Sequence, residues 1–149
     1  MFDEGHEIGN HSYKHPHMLE LSEKEVIQEI MKAEELSKNV IETGCRLFRF
    51  PYGESNEKLT QLLQEKGVVS IKWTIDSMDW KGIRPEEIFD NVVRNDDLGN
   101  GAIILMHNSG EHTAEALDLI IPALSQRGYE LVEISDLLKS VPFYRRLLK

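Results

Sequence analysis

Two histidines four residues apart open the chemically suggestive part of the chain. His11 and His15 enclose Ser12, Tyr13 and Lys14. On a helical turn this i, i+4 spacing puts both imidazoles on one face, where they can grip one metal ion. His17 is a competing ligand, whereas His6 and His112 read as structural or solvent-facing. Arg49 precedes a Pro51-Tyr52-Gly53 turn. A guanidinium at a tight turn can orient a carboxylate, beside a backbone N–H that the turn exposes to a developing oxyanion. A surface arginine on an ordinary turn is the bland alternative. Asp76 and Asp79 precede Trp80; such carboxylates either close an Asx turn or orient a neighbouring base. His107 ends an apolar run. It is either a core histidine with a satisfied ring or a general acid/base, since imidazole titrates near neutral pH.

These residues need a scaffold, and the chain alternates short apolar runs with longer amphipathic ones. Residues 7–10 predict a weak strand, and 45–50 and 68–73 predict two more. Residues 102–106 form a continuous apolar run, the pattern of a strand buried on both faces. Tyr129, Leu131 and Ile134 predict a last strand. Ser22 and Glu25 form a capping box ahead of a helix that presents Val26, Ile30, Ala33 and Val40, joined by Ile27 and Leu36, with Gly44 as its stop. Ser55 or Asn56 caps a second helix carrying Leu59, Leu62 and Leu63, stopped at Gly67. Pro85 sits at a first helical position. Residues 113–127 predict a helix with Leu117, Ile120, Ile121 and Leu124 inward, and Ser135 caps a short one through Leu138. Strand–helix alternation implies a parallel sheet covered by helices. Ligands in such folds bind at the carboxyl ends of strands. His11 and His15, then 49–53, then Asp76, Asp79 and Trp80, then His107 and Asn108 follow four successive predicted strands.

The bulk composition narrows the partners. The 149 residues suit one domain. Seventeen Lys and Arg against 26 Asp and Glu leave a net charge of −9, which argues against nucleic-acid binding. One cysteine excludes an intrachain disulfide. No apolar run reaches the ~18–20 residues of a membrane span, and the acidic start lacks a leader's apolar region. The basic run Tyr144-Arg145-Arg146-Leu147-Leu148-Lys149 reads as a solubilising tail. No glycine-rich nucleotide loop is present.

In chain order, His11-Ser12-x-x-His15, Arg49-Phe50-Pro51-Tyr52-Gly53, Asp76-x-x-Asp79-Trp80 and Leu105-Met106-His107 resemble the motifs of the polysaccharide deacetylases, the NodB homology domain of carbohydrate esterase family four. The approach from Gly5 to Asn10 resembles the family's run into its histidine motif, and the likeness extends to about Leu138. The resemblance implies an α/β fold, a distorted (β/α) barrel with parallel strands. It also implies a divalent-metal-dependent hydrolase that removes N-acetyl groups from an N-acetylglucosamine-containing polysaccharide such as peptidoglycan or chitin. His11 and His15 would be metal ligands, for zinc foremost and otherwise cobalt, nickel or manganese. Tyr52 would offer its backbone N–H to the oxyanion, with Pro51 beside it, and Arg49 would hold the catalytic base. Trp80 and Leu105 would wall the acetyl pocket. His107 would protonate the leaving amine, tuned by Asp79.

The family's first motif, Thr-Phe-Asp-Asp-Gly, supplies a base and a third metal ligand and does not occur in this chain. Residues 1–149 are therefore expected to be the C-terminal portion of one such domain, a partial barrel without its first strand–helix elements. Its metal site would be weakened and its open edge available for self-association. Related enzymes usually act outside the membrane. The alternatives are an acetyl-xylan esterase on the same site and a non-catalytic glycan-binding remnant.

Overall fold

The computed structural model describes residues 1–42 and 44–140; the basic run at 144–149 lies outside the described residues. In chain order the elements are α1 (Glu23–Ile41), β1 (Leu47–Phe48), α2 (Glu57–Glu65), β2 (Val69–Ser70), β3 (Ile75–Asp76), α3 (Pro85–Val93), β4 (Ile104–Leu105), α4 (Thr113–Gln126) and α5 (Ile134–Lys139). The chain divides into two compact units. One comprises Met1–Lys72 with Glu133–Lys149, the other Trp73–Val132. Among the described residues, no helix is long and apolar enough to cross a membrane.

In the first unit, α1 starts where the capping box predicts. Ser22 Oγ accepts from Glu25 N, and the Glu25 carboxylate accepts from Ser22 N. Val26, Ile30 and Ile41 are the helix's buried residues. Val40, expected inward, is 80% exposed, and Leu36 is also exposed. The helix stops at Glu42, which takes the left-handed conformation (φ 58°) predicted for Gly44. Gly44 serves another purpose, because a Cβ there would collide with the Glu34 carboxylate. That carboxylate accepts a hydrogen bond from Cys45 N (3.0 Å). Cys45 itself is buried, and burial pushes its thiol pKa up.

β1 pairs with β2 in parallel, Leu47 opposite Val69 and Phe48 opposite Ser70. Both strands are shorter than the apolar runs that contain them. The predicted strand at 7–10 reduces to a parallel bridge between Asn10 and Phe48. Asn56, not Ser55, caps α2 by accepting from Leu59 N (2.8 Å), and Gly67 ends it in a left-handed turn. Met18, Val26, Ile30, Phe48, Phe50, Leu59 and Leu63 form this unit's main core. Burying side chains of this size stabilises the fold by roughly 1.5–3 kcal/mol each. Leu47, Val69 and Leu138 form a second cluster. α5 begins after Glu133 rather than Ser135, and Ser135 N donates to the Glu7 carboxylate (2.9 Å). Among the described residues 129–134 contain no strand, and Leu131 and Val132 are exposed.

In the second unit, β3 pairs with β4 in parallel, Ile75 opposite Ile104 and Asp76 opposite Leu105. Asp76 thus lies on a strand of its own and does not follow the one at 68–73. Pro85 opens α3 as predicted, and Ile88, Val92 and Val93 turn inward. From α4, Thr113, Ala116, Ile120 and Leu124 are buried. Their i, i+3/i+4 spacing sets one apolar stripe and leaves Ile121 outside it. The run at 102–106 is less enclosed than expected: only Leu105 is buried, and its neighbours are half-buried. The parallel pairing agrees with the α/β class. Among the described residues it takes the form of two two-stranded pairs.

Candidate active site

The first group of site residues starts from Asn10, which is 4% exposed. A buried amide is costly unless every polar atom finds a partner. Asn10 N donates to Leu47 O (2.8 Å), and Asn10 O accepts from Arg49 N (3.0 Å). Its Nδ2 donates to Ile30 O (3.0 Å), and its Oδ1 accepts from Ser12 N (2.9 Å). One residue therefore ties three segments together, its backbone bonding β1 and Arg49 and its side chain bonding α1 and Ser12. Beyond it the segment is a loop and not the helical turn that the spacing suggests. Ser12 (φ 72°) and His15 (φ 56°) are both left-handed, and His15 N donates to Ser12 Oγ (2.9 Å).

The loop still brings the two imidazoles together, with ring centroids 4.8 Å apart and nearly perpendicular. His11 Nδ1 lies 2.6 Å from Arg49 O. A carbonyl oxygen only accepts, so Nδ1 carries the proton and donates. Metal-binding histidines are commonly oriented by such a bond. The pair therefore suits part of a divalent-metal donor set. Among the described residues, no group of three His, Cys, Asp or Glu side chains gathers that could hold a metal ion. His17 does not join the pair. It lies flat on the Tyr52 ring (4.1 Å between centroids, 10° between planes), and its Nδ1 donates to the Glu54 carboxylate (3.0 Å).

The Arg49 segment forms a tight turn. Pro51 is buried, Tyr52 is left-handed (φ 56°, ψ 4°), and so is Gly53. A left-handed conformation costs a non-glycine residue roughly 1–2 kcal/mol, so neighbours must hold Tyr52 there. Gly53 N and Glu54 N donate back to Phe50 O and Pro51 O. The Tyr52 N–H donates to no acceptor among the described residues. Arg49 is half-buried, and burial pulls its pKa below the ordinary arginine range. Among the described residues its guanidinium meets no carboxylate, which leaves it suited to bind one.

The second group centres on Asp79, 0% exposed. Its Oδ1 accepts from His107 Nδ1 (2.7 Å), and its Oδ2 accepts from His107 N (2.6 Å) and Thr113 Oγ1 (2.7 Å). Burial alone would push the Asp79 pKa up. The bonds from Thr113 and from the His107 side chain and backbone outweigh burial and hold it below the usual carboxylate value. Asp76 does a different job: its Oδ1 accepts from Met78 N (2.9 Å), closing an Asx turn around left-handed Met78. The two aspartates thus divide between the two roles that the sequence left open.

Gly110 and Thr113 complete this group, although no motif in the sequence marks them. A Cβ on Gly110 would collide with Thr113 Oγ1 and stand 3.2 Å from Asp79 Oδ2. The one local hint is a glycine and a hydroxyl residue soon after His107. Trp80 is 55% exposed, with Lys81 Nζ 5.1 Å from its ring centroid, and Leu105 is buried in β4. His11, His15, Arg49, Pro51 and Tyr52 belong to the first unit; Asp79, Trp80, Leu105 and His107 belong to the second.

Comparison with known proteins decides the family. A family model described as polysaccharide deacetylase matches residues 1–71. The structure of the peptidoglycan deacetylase PdaC from Bacillus subtilis superposes with a TM-score of 0.84 at 34% identity, over 98% of this chain and 69% of that one. The chain belongs to the polysaccharide deacetylase family. A peptidoglycan-N-acetylglucosamine deacetylase of Bacillus cereus is 34% identical over 145 residues, 93% of this family member and 51% of the relative. A CE4-family pseudoenzyme from Bacillus anthracis gives a TM-score of 0.86 at 34% identity, over 92% of this chain and 48% of that one. The chain spans about half the length of the curated relatives it matches. The family match covers the histidine pair and the Arg49 turn; the longer alignment with the Bacillus cereus relative extends beyond it.

Proposed function

We propose that this chain serves a metal-dependent hydrolase that removes N-acetyl groups from an N-acetylglucosamine-containing polysaccharide of the peptidoglycan kind. The observation that carries the reading is buried Asp79, which accepts both N–H groups of His107 and the Thr113 hydroxyl. Deacetylation needs an acid for the leaving amine, a poor leaving group unless protonated. With Nδ1–H committed to Asp79, the second proton of a charged His107 sits on Nε2. The Asp79 carboxylate holds the ring in that orientation through Nδ1. Water oxygen adds to the acetyl carbon, the C–N bond breaks, and Nε2–H passes to the departing nitrogen. Tyr52 N–H donates to the oxygen that becomes negative in the tetrahedral intermediate. Arg49 would hold the carboxylate that takes the water's proton, the base that the family's first motif supplies and that does not occur in these 149 residues. His11 and His15 would hold a divalent ion, zinc foremost, which when bound supplies Lewis-acid polarisation of the amide carbonyl. Tyr52 and Trp80, each 55% exposed, offer aromatic faces to sugar rings.

The test is acetate release from peptidoglycan fragments and chitooligosaccharides in the presence of Zn²⁺, with His107→Ala as control. Release abolished by the substitution supports the reading. Faster release from O-acetylated xylan would turn it into an esterase. A second reading, glycan binding without turnover, draws on the likeness to the Bacillus anthracis pseudoenzyme. Glycan binding with no acetate from any substrate would favour it.

A further inference from the structure

We propose that His17 and Glu54 are positioning residues for Tyr52: a stacked imidazole, pinned by a carboxylate, holds the left-handed tyrosine and so aims its backbone N–H. The functional part rests on the reading of that N–H as the oxyanion donor. Tyr52 is a bulky residue at φ 56°, and such a conformation persists only where its surroundings over-determine it. Core packing does not do so, because the ring is 55% exposed. Two imidazoles do. His15 meets the ring edge-on (4.6 Å, 76°), and His17 covers it face-on (4.1 Å, 10°).

The His17 ring is itself oriented. Its Nδ1 lies 3.0 Å from Glu54 Oε2, and a carboxylate only accepts, so the imidazole donates. Glu54 belongs to the turn that holds Tyr52, since Glu54 N donates to Pro51 O (3.2 Å). The turn thus grips the imidazole that covers its own tyrosine. The mount of His17 is rigid as well. It follows Pro16 and leads into the short turn Met18–Glu20, whose Met18 lies in the core. With their side chains 48% and 36% exposed, His17 and Glu54 form a pair of the kind that adds little to global stability. Its contribution is therefore geometric.

The experiment is NMR on the full chain, comparing wild type with His17→Ala and His17→Phe. The readouts are the intraresidue Hα–HN contact of Tyr52, strong in the left-handed conformation, and the ring-current shift of its aromatic protons. His17→Ala should weaken the first and abolish the second without changing the urea midpoint. His17→Phe, which keeps a stacking face but loses the bond to Glu54, should restore both only in part, and Glu54→Gln in the wild-type background should weaken both; full restoration by His17→Phe would remove Glu54 from the proposal. An unchanged Tyr52 in His17→Ala would overturn the proposal. So would a zinc response at His11 and His15 lost in His17→Ala as fully as in His11→Ala, because His17 would then be a ligand. In the acetate assay, His17→Ala should lower kcat about tenfold at constant KM, a fraction of the ~100-fold or more lost with a whole oxyanion donor. No acetate from any variant, wild type included, would sink the proposed activity while the Tyr52 signals still judge the positioning.

Discussion

Replacing Gly110 with alanine adds one methyl group at a crowded point of the second unit. Gly110 has no left-handed φ, so the backbone itself accepts alanine. On conformational entropy alone the change would stabilise the chain by roughly 0.4–1 kcal/mol. Sterics reverse the sign. The new Cβ would occupy the space of Thr113 Oγ1 and press on Asp79 O and Oδ2, each at 3.2 Å. The hydroxyl must swing away, and Asp79 then loses one of its three hydrogen bonds. A bond to a charged acceptor contributes roughly 1.5–3 kcal/mol. Less the entropic gain, Gly110→Ala should cost ~0.5–2.5 kcal/mol. Urea unfolding followed by tryptophan fluorescence should show a lower midpoint at unchanged slope. Thr113→Ala removes the obstructing atom and the bond together. On that background Gly110→Ala should cost at least ~1 kcal/mol less, a coupling of the size expected for residues in contact. An equal cost on both backgrounds would refute the steric account.

Three further outcomes follow from the same contacts. Asp79 has its pKa lowered in the folded state, so its stabilisation is complete above the unfolded value of ~3.9 and is lost as pH falls through the lower folded value. Asp79→Asn should flatten that acid limb of the urea-midpoint profile and lower stability by ~2–4 kcal/mol at neutral pH; a wild-type limb retained in the mutant would remove Asp79 as its cause. Asn10→Ala deletes the amide that joins Ile30 and Ser12 and should cost ~2–4 kcal/mol by urea unfolding, and a loss under ~0.5 kcal/mol would show that the loop holds without it. His11→Ala should weaken Zn²⁺ binding by calorimetry at least tenfold, whereas an unchanged affinity would place zinc elsewhere.

Legibility in the sequence followed interaction range. The Ser22–Glu25 box spans three residues, and Pro85 at the start of α3 and Gly67 at the end of α2 act within one turn. Each appears in the structure where the pattern placed it. Periodicity marks a helix face less sharply near the helix end. Val40 was favoured by periodicity, but Ile41 is the buried residue, because the last turn must meet whatever packs there. Strands were overextended, since β-branched and apolar runs report burial rather than pairing.

The sequence alone determined the residue types, their order, and hence the family: four motifs suffice for that without any geometry. It also determined some local starts and stops of helices, at Ser22, Pro85 and Gly67, because those caps and turns are written in adjacent residues, whereas the stop expected at Gly44 falls at Glu42 and the cap expected at Ser135 falls at Glu133. Only the tertiary structure decided what each site residue does. It committed Asp79 to His107 across 28 residues and to Thr113 across 34, while Asp76 closed a local turn. It set the tautomer of His11 through a carbonyl 38 residues away, and it took His17 from the metal pair and gave it to Tyr52 and Glu54. A hydrogen bond needs its partner within about 3 Å and aligned, and that condition is met by folding rather than by proximity in the chain.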